Sequence, residues 1–292
     1  MTASSSGWTT VARLDAGRLV DALRARGVRL VREGPCPGGQ VGAAYVRWEE
    51  YGRRGVLKWR PRSSVRAARA GALAVVEALR DIGYPAPATD LVAQLGDAVV
   101  TVQELLPGTS PDRLTATHLD QLLRLNDSQA DRLTGHPRIP AAALHLREDG
   151  PGFCLHDPLR RHSPRTAALE RRISALAERY PPLLPGNDAV HYDFHPGNLL
   201  ATGPDITGVI DWDGAARGDR RFDLVTLRFG LHAANESPAV TDRLDAVLAT
   251  LPDHVLTPAW AHMSLRLTDW TIRHPTPSGP TPWLDLADRH LP

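Results

Sequence analysis

The strongest constraint on the fold is a change in sequence texture near residue 106. Before it, short apolar runs alternate with turn-forming residues, which is typical of strands and hairpins. After the pair Pro107–Gly108, long segments carry apolar residues at helical spacing, and one short strand-rich region lies within 188–213. This order predicts an α+β chain with a small antiparallel-sheet lobe over residues 1–105 and a larger, mainly helical lobe over residues 106–292.

Local signals place the individual elements. The first lobe is predicted to contain a helix over 15–27, three strands within 28–59 and a hairpin around Gly96–Asp97. Ser63 can cap a further helix that runs to about Ile82. The predicted helices of the second lobe span 116–133, 164–179, 222–234, 239–251 and 258–272.

The charges are almost balanced, and a net charge of +1 argues against a general nucleic-acid binder. Their distribution is uneven, because residues 1–105 carry a formal charge of +5 and residues 106–292 carry −4. A basic first lobe suits a phosphate-rich ligand, and an acidic second lobe suits a cationic one. A chance imbalance among surface charges would give the same numbers.

The chain shows no sign of export or membrane insertion. Residues 1–10 lack the apolar core of a signal peptide, and no apolar run approaches the ~18 residues of a membrane span. Two cysteines, Cys36 and Cys154, could form one disulfide but resemble neither a disulfide framework nor a metal site. We expect a cytoplasmic monomer or dimer that binds neither membrane nor nucleic acid.

The segment from Val190 to Leu224 holds most of the recognisable chemistry. Asp193 lies in a polar loop after an apolar strand end, Asn198 follows five residues later, and Asp211 ends a second apolar run. Phosphoryl transfer from ATP to an alcohol requires positioning, Mg²⁺ and a carboxylate that accepts the hydroxyl proton. Carboxylate and amide oxygens are the ligands that Mg²⁺ prefers. The segment therefore indicates an ATP-dependent kinase of small-molecule hydroxyl groups.

The run from His191 to Leu200, followed by Ile210-Asp211-Trp212-Asp213, resembles the catalytic and metal-binding loops of the aminoglycoside phosphotransferase family. The resemblance extends over roughly residues 34–227, with the motifs in family order. It implies a bilobal, protein-kinase-like fold.

The resemblance also implies a role for each loop residue. Asp193 corresponds to the catalytic base, Asn198 and Asp211 to the Mg²⁺ ligands, and His191 and His195 to supports of the loop geometry.

Two further acids follow in the next motif of the family. Asp219 would cap a helix and Asp223 would brace the catalytic loop, so both are expected to be structural.

The resemblance places nucleotide-binding parts in the first lobe. Lys58 is the only lysine of the chain and occupies the third-strand position of the family's phosphate-binding lysine. Gly39 and Gly42 lie between the first two strands, where a loop over the phosphates belongs. Main-chain groups of Gln103 and Leu105, at the lobe boundary, would bind the base of ATP or GTP.

One family feature is absent from its usual position. The family has a glutamate on the long helix that pairs with the lysine, but positions 72–74 hold Ala, Leu and Ala. Glu77, about one turn later, either takes over this pairing with Lys58 or is a solvated helix residue.

The acceptor is expected to be a small cationic molecule, because acidic residues of the helical lobe attract polyamine antibiotics in this family. Candidates are Asp157, Glu236 and the pair Asp269 and Trp270, although each acid could be a solvated helix residue. The stretch 125–130 resembles the enzymes that modify tuberactinomycin peptides such as viomycin and capreomycin. Antibiotic resistance or self-protection is then the implied role.

Other functions stay open at this point. A kinase of a choline-like or homoserine-like metabolite would use the same loops. A metal-dependent hydrolase could bind its metal through His191, Asp193 and His195, but it would leave Lys58 unexplained. A non-catalytic binding module would be expected to lack at least one of the motif residues.

Overall fold

A computed structural model describes residues 15–36, 42–234 and 236–292. Its first part is a five-stranded sheet in the order β1-β2-β3-β5-β4, and neighbouring strands are antiparallel. The strands are β1 Leu30–Cys36, β2 Ala43–Trp48, β3 Arg54–Arg60, β4 Thr89–Leu95 and β5 Ala98–Glu104, and the accompanying helices are α1 Ala16–Arg24, α2 Val65–Ala70 and α3 Ala72–Arg80.

One face of this sheet is buried against α1. Val46, Leu57 and Val102 come from three adjacent strands, are fully buried and pack in one cluster with Leu23 of α1. Successive residues of a strand point to opposite faces of a sheet. Burial of Leu57 on this face therefore turns Lys58 to the other face, towards the second part of the chain.

The helix predicted from Ser63 to Ile82 is wrong as a single element. The backbone leaves the helical region at Gly71, with φ −117° and ψ −116°, so that α2 and α3 are separate helices. Glycine is among the weakest helix formers, which makes this position the easiest one to break. The capping residue of α2 is Ser64, whose side chain accepts a hydrogen bond from the Ala67 amide.

The second part is mainly helical. It also contains two short antiparallel sheets of two strands each, one formed by β6 and β9 and the other by β7 and β8. The helices are α4 Ala116–Ser128, α5 His156–His162, α6 Pro164–Leu176, α7 Arg221–Ala233, α8 Pro238–Leu248, α9 Asp253–Arg273 and α10 Thr281–His290, and the strands are β6 Asp188–Val190, β7 Leu199–Thr202, β8 Asp205–Val209 and β9 Ala216–Gly218. The five predicted helices are confirmed with shifted ends, whereas α5, α10 and β9 had no prediction.

The core of this part is built around α7 and α9. Residues 222–229 of α7 and 258–265 of α9 are buried continuously, as in helices enclosed on all sides. Such helices provide rigid positions for side chains that reach the loops between β6 and β8. The small antiparallel sheet followed by a larger helical part is the α+β arrangement that the sequence predicts.

Across the described ranges, no helix combines the length and the apolar character that a membrane crossing would need.

Candidate active site

The loop between β6 and β7 is held in place by one buried carboxylate. Asp223, in the first turn of α7, accepts hydrogen bonds from the main-chain amides of His191 at 2.7 Å and Tyr192 at 2.9 Å. Gln129, the residue that follows α4, donates a third bond at 3.0 Å. Burial raises the pKa of Asp223 to about 7, and the three donors oppose this rise. The predicted bracing role of Asp223 is confirmed.

Asp219 behaves differently from its prediction. The residue before α7 is Arg220, and it has no side-chain cap. Asp219 instead accepts from the Arg221 amide at 3.0 Å and pairs with the Arg221 guanidinium. It is structural as expected, but as an ion-pair partner at the start of α7.

His191 supports the loop through both ring nitrogens. Its Nε2 donates to the Ile210 carbonyl at 2.9 Å, and its Nδ1 accepts from the Asp193 amide at 3.2 Å. The carbonyl can only accept, so Nε2 carries the proton. Burial lowers the pKa of His191 to about 4 against the opposing pull of the Asp193 carboxylate, and the ring is neutral at neutral pH.

These bonds contradict the metal-hydrolase alternative. His191 cannot bind a metal without breaking a backbone contact, since both of its nitrogens are used. His195 also uses its Nδ1, which accepts from the Gly197 amide at 3.1 Å. Within residues 15–36, 42–234 and 236–292, no group of three or more His, Cys, Asp or Glu side chains is placed to hold a metal ion.

Asp193 is one-third exposed at the surface of the loop. Its Oδ1 lies 2.7 Å from Nη2 of Arg266, and its Oδ2 lies 3.3 Å from Nδ2 of Asn198 and 3.6 Å from Nε2 of His195. Burial alone would raise the pKa of Asp193, but the charge of Arg266 and the contacts with His195 hold it well below its usual range. The carboxylate is therefore ionised at neutral pH and can accept a proton.

Asn198 and Asp211 present oxygen atoms close to Asp193. The Asn198 Nδ2 donates to the main-chain carbonyl of Asp193 at 2.9 Å, which leaves its Oδ1 for another partner. The Ile210 amide donates to the Asn198 carbonyl at 2.9 Å. This bond brings the next residue, Asp211, close to Asn198. Asp211 adopts a left-handed conformation, with φ 65°, which aspartate tolerates better than most residues. A carboxylate and a free amide oxygen fit the ligand preference of Mg²⁺.

Lys58 reaches this site across the lobe junction. Its Nζ lies 2.6 Å from Oδ1 of Asp211 and 2.8 Å from Oδ2 of Asp213, while its side chain is only 18% exposed. Burial would lower the pKa of Lys58, but Asp213 and Asp211 outweigh burial and raise it above the usual range. The structure thus brings the four predicted residues Lys58, Asp193, Asn198 and Asp211 together.

Of the two alternatives for Glu77, the pairing with Lys58 is wrong and the solvated helix residue is confirmed. The buried face of α3 carries Leu73, Val76 and Leu79, and Glu77 lies on the exposed face. The charge of Lys58 is balanced by Asp211 and Asp213. Asp213, and not Glu77, is therefore its second acidic partner.

Of the other predicted nucleotide contacts, Gln103 and Leu105 lie where β5 ends and the connection to the helical part begins. Gly39 falls in 37–41, outside the described residues, and Gly42 precedes β2 with φ 87°. Gln103 is buried in the middle of the sheet, where it pairs with Val56 of β3. Leu105 is the first residue after β5 and begins the connection to the helical part.

The four predicted acceptor-binding residues all have partners within the chain. Glu236 is buried and accepts from the Leu114 amide, and Asp269 is fully buried against Arg273. Asp157 is exposed on α5 and paired with Arg161 at 3.0 Å, while Trp270 stacks on His274 with ring centroids 3.7 Å apart. The expectation that Glu236 and Asp269 offer free carboxylates to a ligand is wrong, because internal partners use both.

Close packing also fixes the far side of the loop. Gly230 of α7 faces it, and a methyl group there would lie 2.6 Å from Cδ of Pro196 and 2.7 Å from Cβ of His195. We expect Gly230→Ala to displace the loop, lower kcat and reduce stability by about 1–3 kcal/mol. Alanine normally stabilises a helix relative to glycine, so the sign of the change is informative.

The matched control for this variant is Gly135→Ala, where nothing lies within 4 Å of the added methyl group. Steady-state kinetics and thermal unfolding of both variants check the expectation. A Gly230→Ala enzyme that is as active and as stable as the Gly135→Ala enzyme would contradict the loop contact.

Sequence comparison identifies one family. A model of the phosphotransferase enzyme family (APH) matches residues 34–265, which is well over half of the chain. The same range contains Lys58, Asp193, Asn198 and Asp211. A search of the curated proteins found no match.

Several solved structures share the fold. The microcompartment-associated aminopropanol kinase has a TM-score of 0.64 at 20% identity, covering 92% of this chain and 94% of its own. A thermostable mutant of aminoglycoside phosphotransferase APH(4)-Ia in its apo form has a TM-score of 0.63 at 16% identity, covering 94% and 97%. Such a mutant in complex with AMP-PNP and hygromycin B has a TM-score of 0.59 at 16% identity, covering 89% and 92%. These similarities confirm the predicted bilobal, kinase-like fold class.

Proposed function

The chain belongs to the phosphotransferase enzyme family, and on that premise we propose that it transfers the γ-phosphoryl group of ATP to a hydroxyl of a small cationic molecule. The observation that carries the proposal is the meeting of Asp193, Asn198 and Asp211 with Lys58 at the lobe junction. Lys58 comes from the first part of the chain, and the other three side chains come from one segment of the second part. Each is of the type that phosphoryl transfer to an alcohol requires.

Asp193 acts as the general base in this proposal. The acceptor hydroxyl donates its hydrogen bond to the ionised carboxylate, and the proton moves to Asp193 as the oxygen bonds to phosphorus and ADP leaves. Asn198 Oδ1 and Asp211 would hold Mg²⁺, which when bound neutralises charge on the phosphates. Lys58 adds a point charge beside the same phosphates.

The nucleotide is proposed to bind between the lobes. Residues 1–105 would form the nucleotide-binding lobe, with Gly39 and Gly42 over the phosphates and the main chain of Gln103 and Leu105 at the base. Residues 106–292 would contribute the catalytic loop and the acceptor site. An ATP-dependent reaction of this kind suits a cytoplasmic enzyme.

A cationic acceptor is supported by two acids near the partner of the base. Glu148 and Asp149 are exposed, and both raise the pKa of His145, whereas the charge of Arg266 lowers it. An exposed acidic pair therefore lies on the segment whose His145 ring approaches Arg266. The likeness to an aminopropanol kinase and to an enzyme complex with hygromycin B agrees with an amino-bearing acceptor.

The narrower choice of a tuberactinomycin peptide rests on the stretch 125–130. Asn126 of this stretch is buried and donates to the Arg220 carbonyl at 2.8 Å, and Gln129 contacts Asp223. These side chains support the catalytic loop from behind and carry no information on the acceptor. Aminoglycosides, tuberactinomycin peptides and small amino alcohols therefore enter the test on equal terms, with resistance or self-protection as the role in the first two cases.

The experiment is to measure ADP release with Mg²⁺ and ATP across a panel of acceptors. The panel contains aminoglycosides, viomycin, capreomycin, choline, aminopropanol and homoserine, with glycerol as an uncharged alcohol. Release that depends on a cationic acceptor is the expected result. Release with glycerol alone would overturn the cationic acceptor, and no release with any compound would overturn the proposed acceptor class.

Lys58→Ala is expected to impair the use of ATP. The variant removes a charge that faces the proposed phosphate site and leaves Asp211 and Asp213 without their partner. A hydrogen bond to a charged group contributes about 1.5–3 kcal/mol, so loss of the Lys58 contact with the phosphates should lower kcat/KM for ATP by about 10–100-fold. Arg18→Ala is the matched control, because Arg18 is a highly exposed cation on α1. Equal kinetics of the two variants would remove Lys58 from the nucleotide site.

A further inference from the structure

We propose that Arg266 of α9 is the positioning residue of the catalytic base, a clamp that fixes both the Asp193 carboxylate and the backbone that carries it. Its Nη2 donates to Asp193 Oδ1 at 2.7 Å, and its Nη1 donates to the Tyr192 carbonyl at 2.8 Å. One planar group thus contacts a side chain and the adjacent main chain. The inference rests on the proposed role of Asp193.

The position of the guanidinium is set by its surroundings. Its Cζ lies 5.5 Å from the ring centroid of Phe153 and 5.9 Å from that of Tyr192, within the range of cation–π contacts. The side chain is 21% exposed, and Arg266 directly follows the continuously buried residues 258–265 of α9. Exposed ion pairs contribute little because both side chains are mobile. The Arg266 guanidinium, in contrast, contacts two aromatic rings and belongs to a largely buried helix.

The clamp leaves the two carboxylate oxygens in different settings. Oδ1 is bound by Arg266, whereas Oδ2 faces Asn198 and His195 at longer distances of 3.3 and 3.6 Å. Rotation of the carboxylate would break the Arg266 contact. Oδ2 is therefore the oxygen presented to the acceptor hydroxyl, beside the proposed metal ligands.

The charges around Asp193 come from four directions. Arg266 faces it from α9, His191 and His195 from its own loop, and Asp223 from α7. Asp211, which follows β8, raises the pKa of the same His191 ring. His191 is neutral, so the permanent positive charge on Asp193 is that of Arg266. Without it, neither the Asp193 carboxylate nor the Tyr192 carbonyl would keep the contact that fixes its orientation.

The first test follows the order of the catalytic loop and needs no acceptor. Amide hydrogen exchange is measured residue by residue over 191–195 in the full-length wild type, in Arg266→Met and in Arg266→Lys. If Arg266 fixes the backbone through the Tyr192 carbonyl, these amides should exchange about tenfold faster or more in Arg266→Met, and Arg266→Lys should fall between Arg266→Met and the wild type. Equal exchange in the wild type and Arg266→Met would overturn the proposal.

The second test uses the acceptor that the wild type phosphorylates. Arg266→Met should lower kcat by about tenfold or more and leave the KM values for ATP and acceptor within about twofold. A raised acceptor KM with unchanged kcat would instead make Arg266 an acceptor-binding residue and overturn the clamp. The kcat of Arg266→Lys should lie between those of the wild type and Arg266→Met, since lysine keeps the charge but cannot make both hydrogen bonds of the planar guanidinium.

A double-mutant cycle separates this inference from the proposed function. If Arg266 acts through Asp193, Arg266→Met should cause no further loss of kcat in an Asp193→Asn background. Additive losses would contradict the clamp while leaving Asp193 as the base. Normal turnover of Asp193→Asn alone would overturn the base assignment, and hydrogen exchange would still decide whether Arg266 fixes the loop.

Discussion

Asp193→Asn is expected to lower kcat by about 10²–10⁴-fold, the usual contribution of a general base. The amide has nearly the same shape as the carboxylate but cannot take the proton of the acceptor hydroxyl. Lys58 and Asp211 are unchanged in this variant, so ATP should bind with nearly the wild-type dissociation constant. Steady-state kinetics and calorimetric titration with ATP and Mg²⁺ measure the two quantities separately.

The matched control is Asp205→Asn, which makes the same chemical change at an exposed position of β8. Its kcat should equal that of the wild type. Turnover of Asp193→Asn at the level of this control would remove Asp193 from the reaction. A parallel loss of ATP binding would show instead that the substitution had disturbed the whole site.

Asp223→Ala is expected to have the largest effect on folding. The carboxylate is fully buried and accepts from the amides of His191 and Tyr192 and from Gln129. Each buried donor left without a partner costs about 1–3 kcal/mol. The free energy of unfolding should therefore fall by at least about 3 kcal/mol, and the loss of loop geometry should abolish turnover even in the folded fraction.

Chemical denaturation of the wild type and of Asp223→Ala gives this difference directly. Asp242→Ala is the control, since Asp242 is an exposed acid on α8, and its unfolding curve should match the wild type. A change below about 1 kcal/mol in Asp223→Ala would mean that the three donors find other partners. The bracing account of the loop would then be contradicted.

The catalytic loop was predictable because its chemistry is local in sequence. Asp193, Asn198 and Asp211 lie within one short segment, and the turn and hairpin that connect them fix their proximity. Lys58 was predictable from the third-strand position of the family's lysine, and alternation along β3 explains which face it occupies. The α+β order followed from apolar periodicity in the same way.

Residues that depend on long-range packing could not be predicted. Arg266 lies on α9, 73 residues after Asp193, and nothing near it in sequence marks it as a partner of the loop. Asp213 replaced Glu77 as a partner of Lys58 because the face that α3 presents depends on how it packs. Glu236 and Asp269 read as exposed helix acids, and only the tertiary structure reveals the donors that use them.

The most direct test of the central claim follows the γ-phosphate itself. The enzyme is mixed with radiolabelled ATP, Mg²⁺ and the acceptor found in the panel, and the label on the acceptor is counted over time for wild type and Asp193→Asn. We predict label on the acceptor with the wild type and almost none with Asp193→Asn, although both bind ATP. Equal transfer by both proteins, or a wild type that does not bind ATP, would contradict a phosphotransferase site built on Asp193.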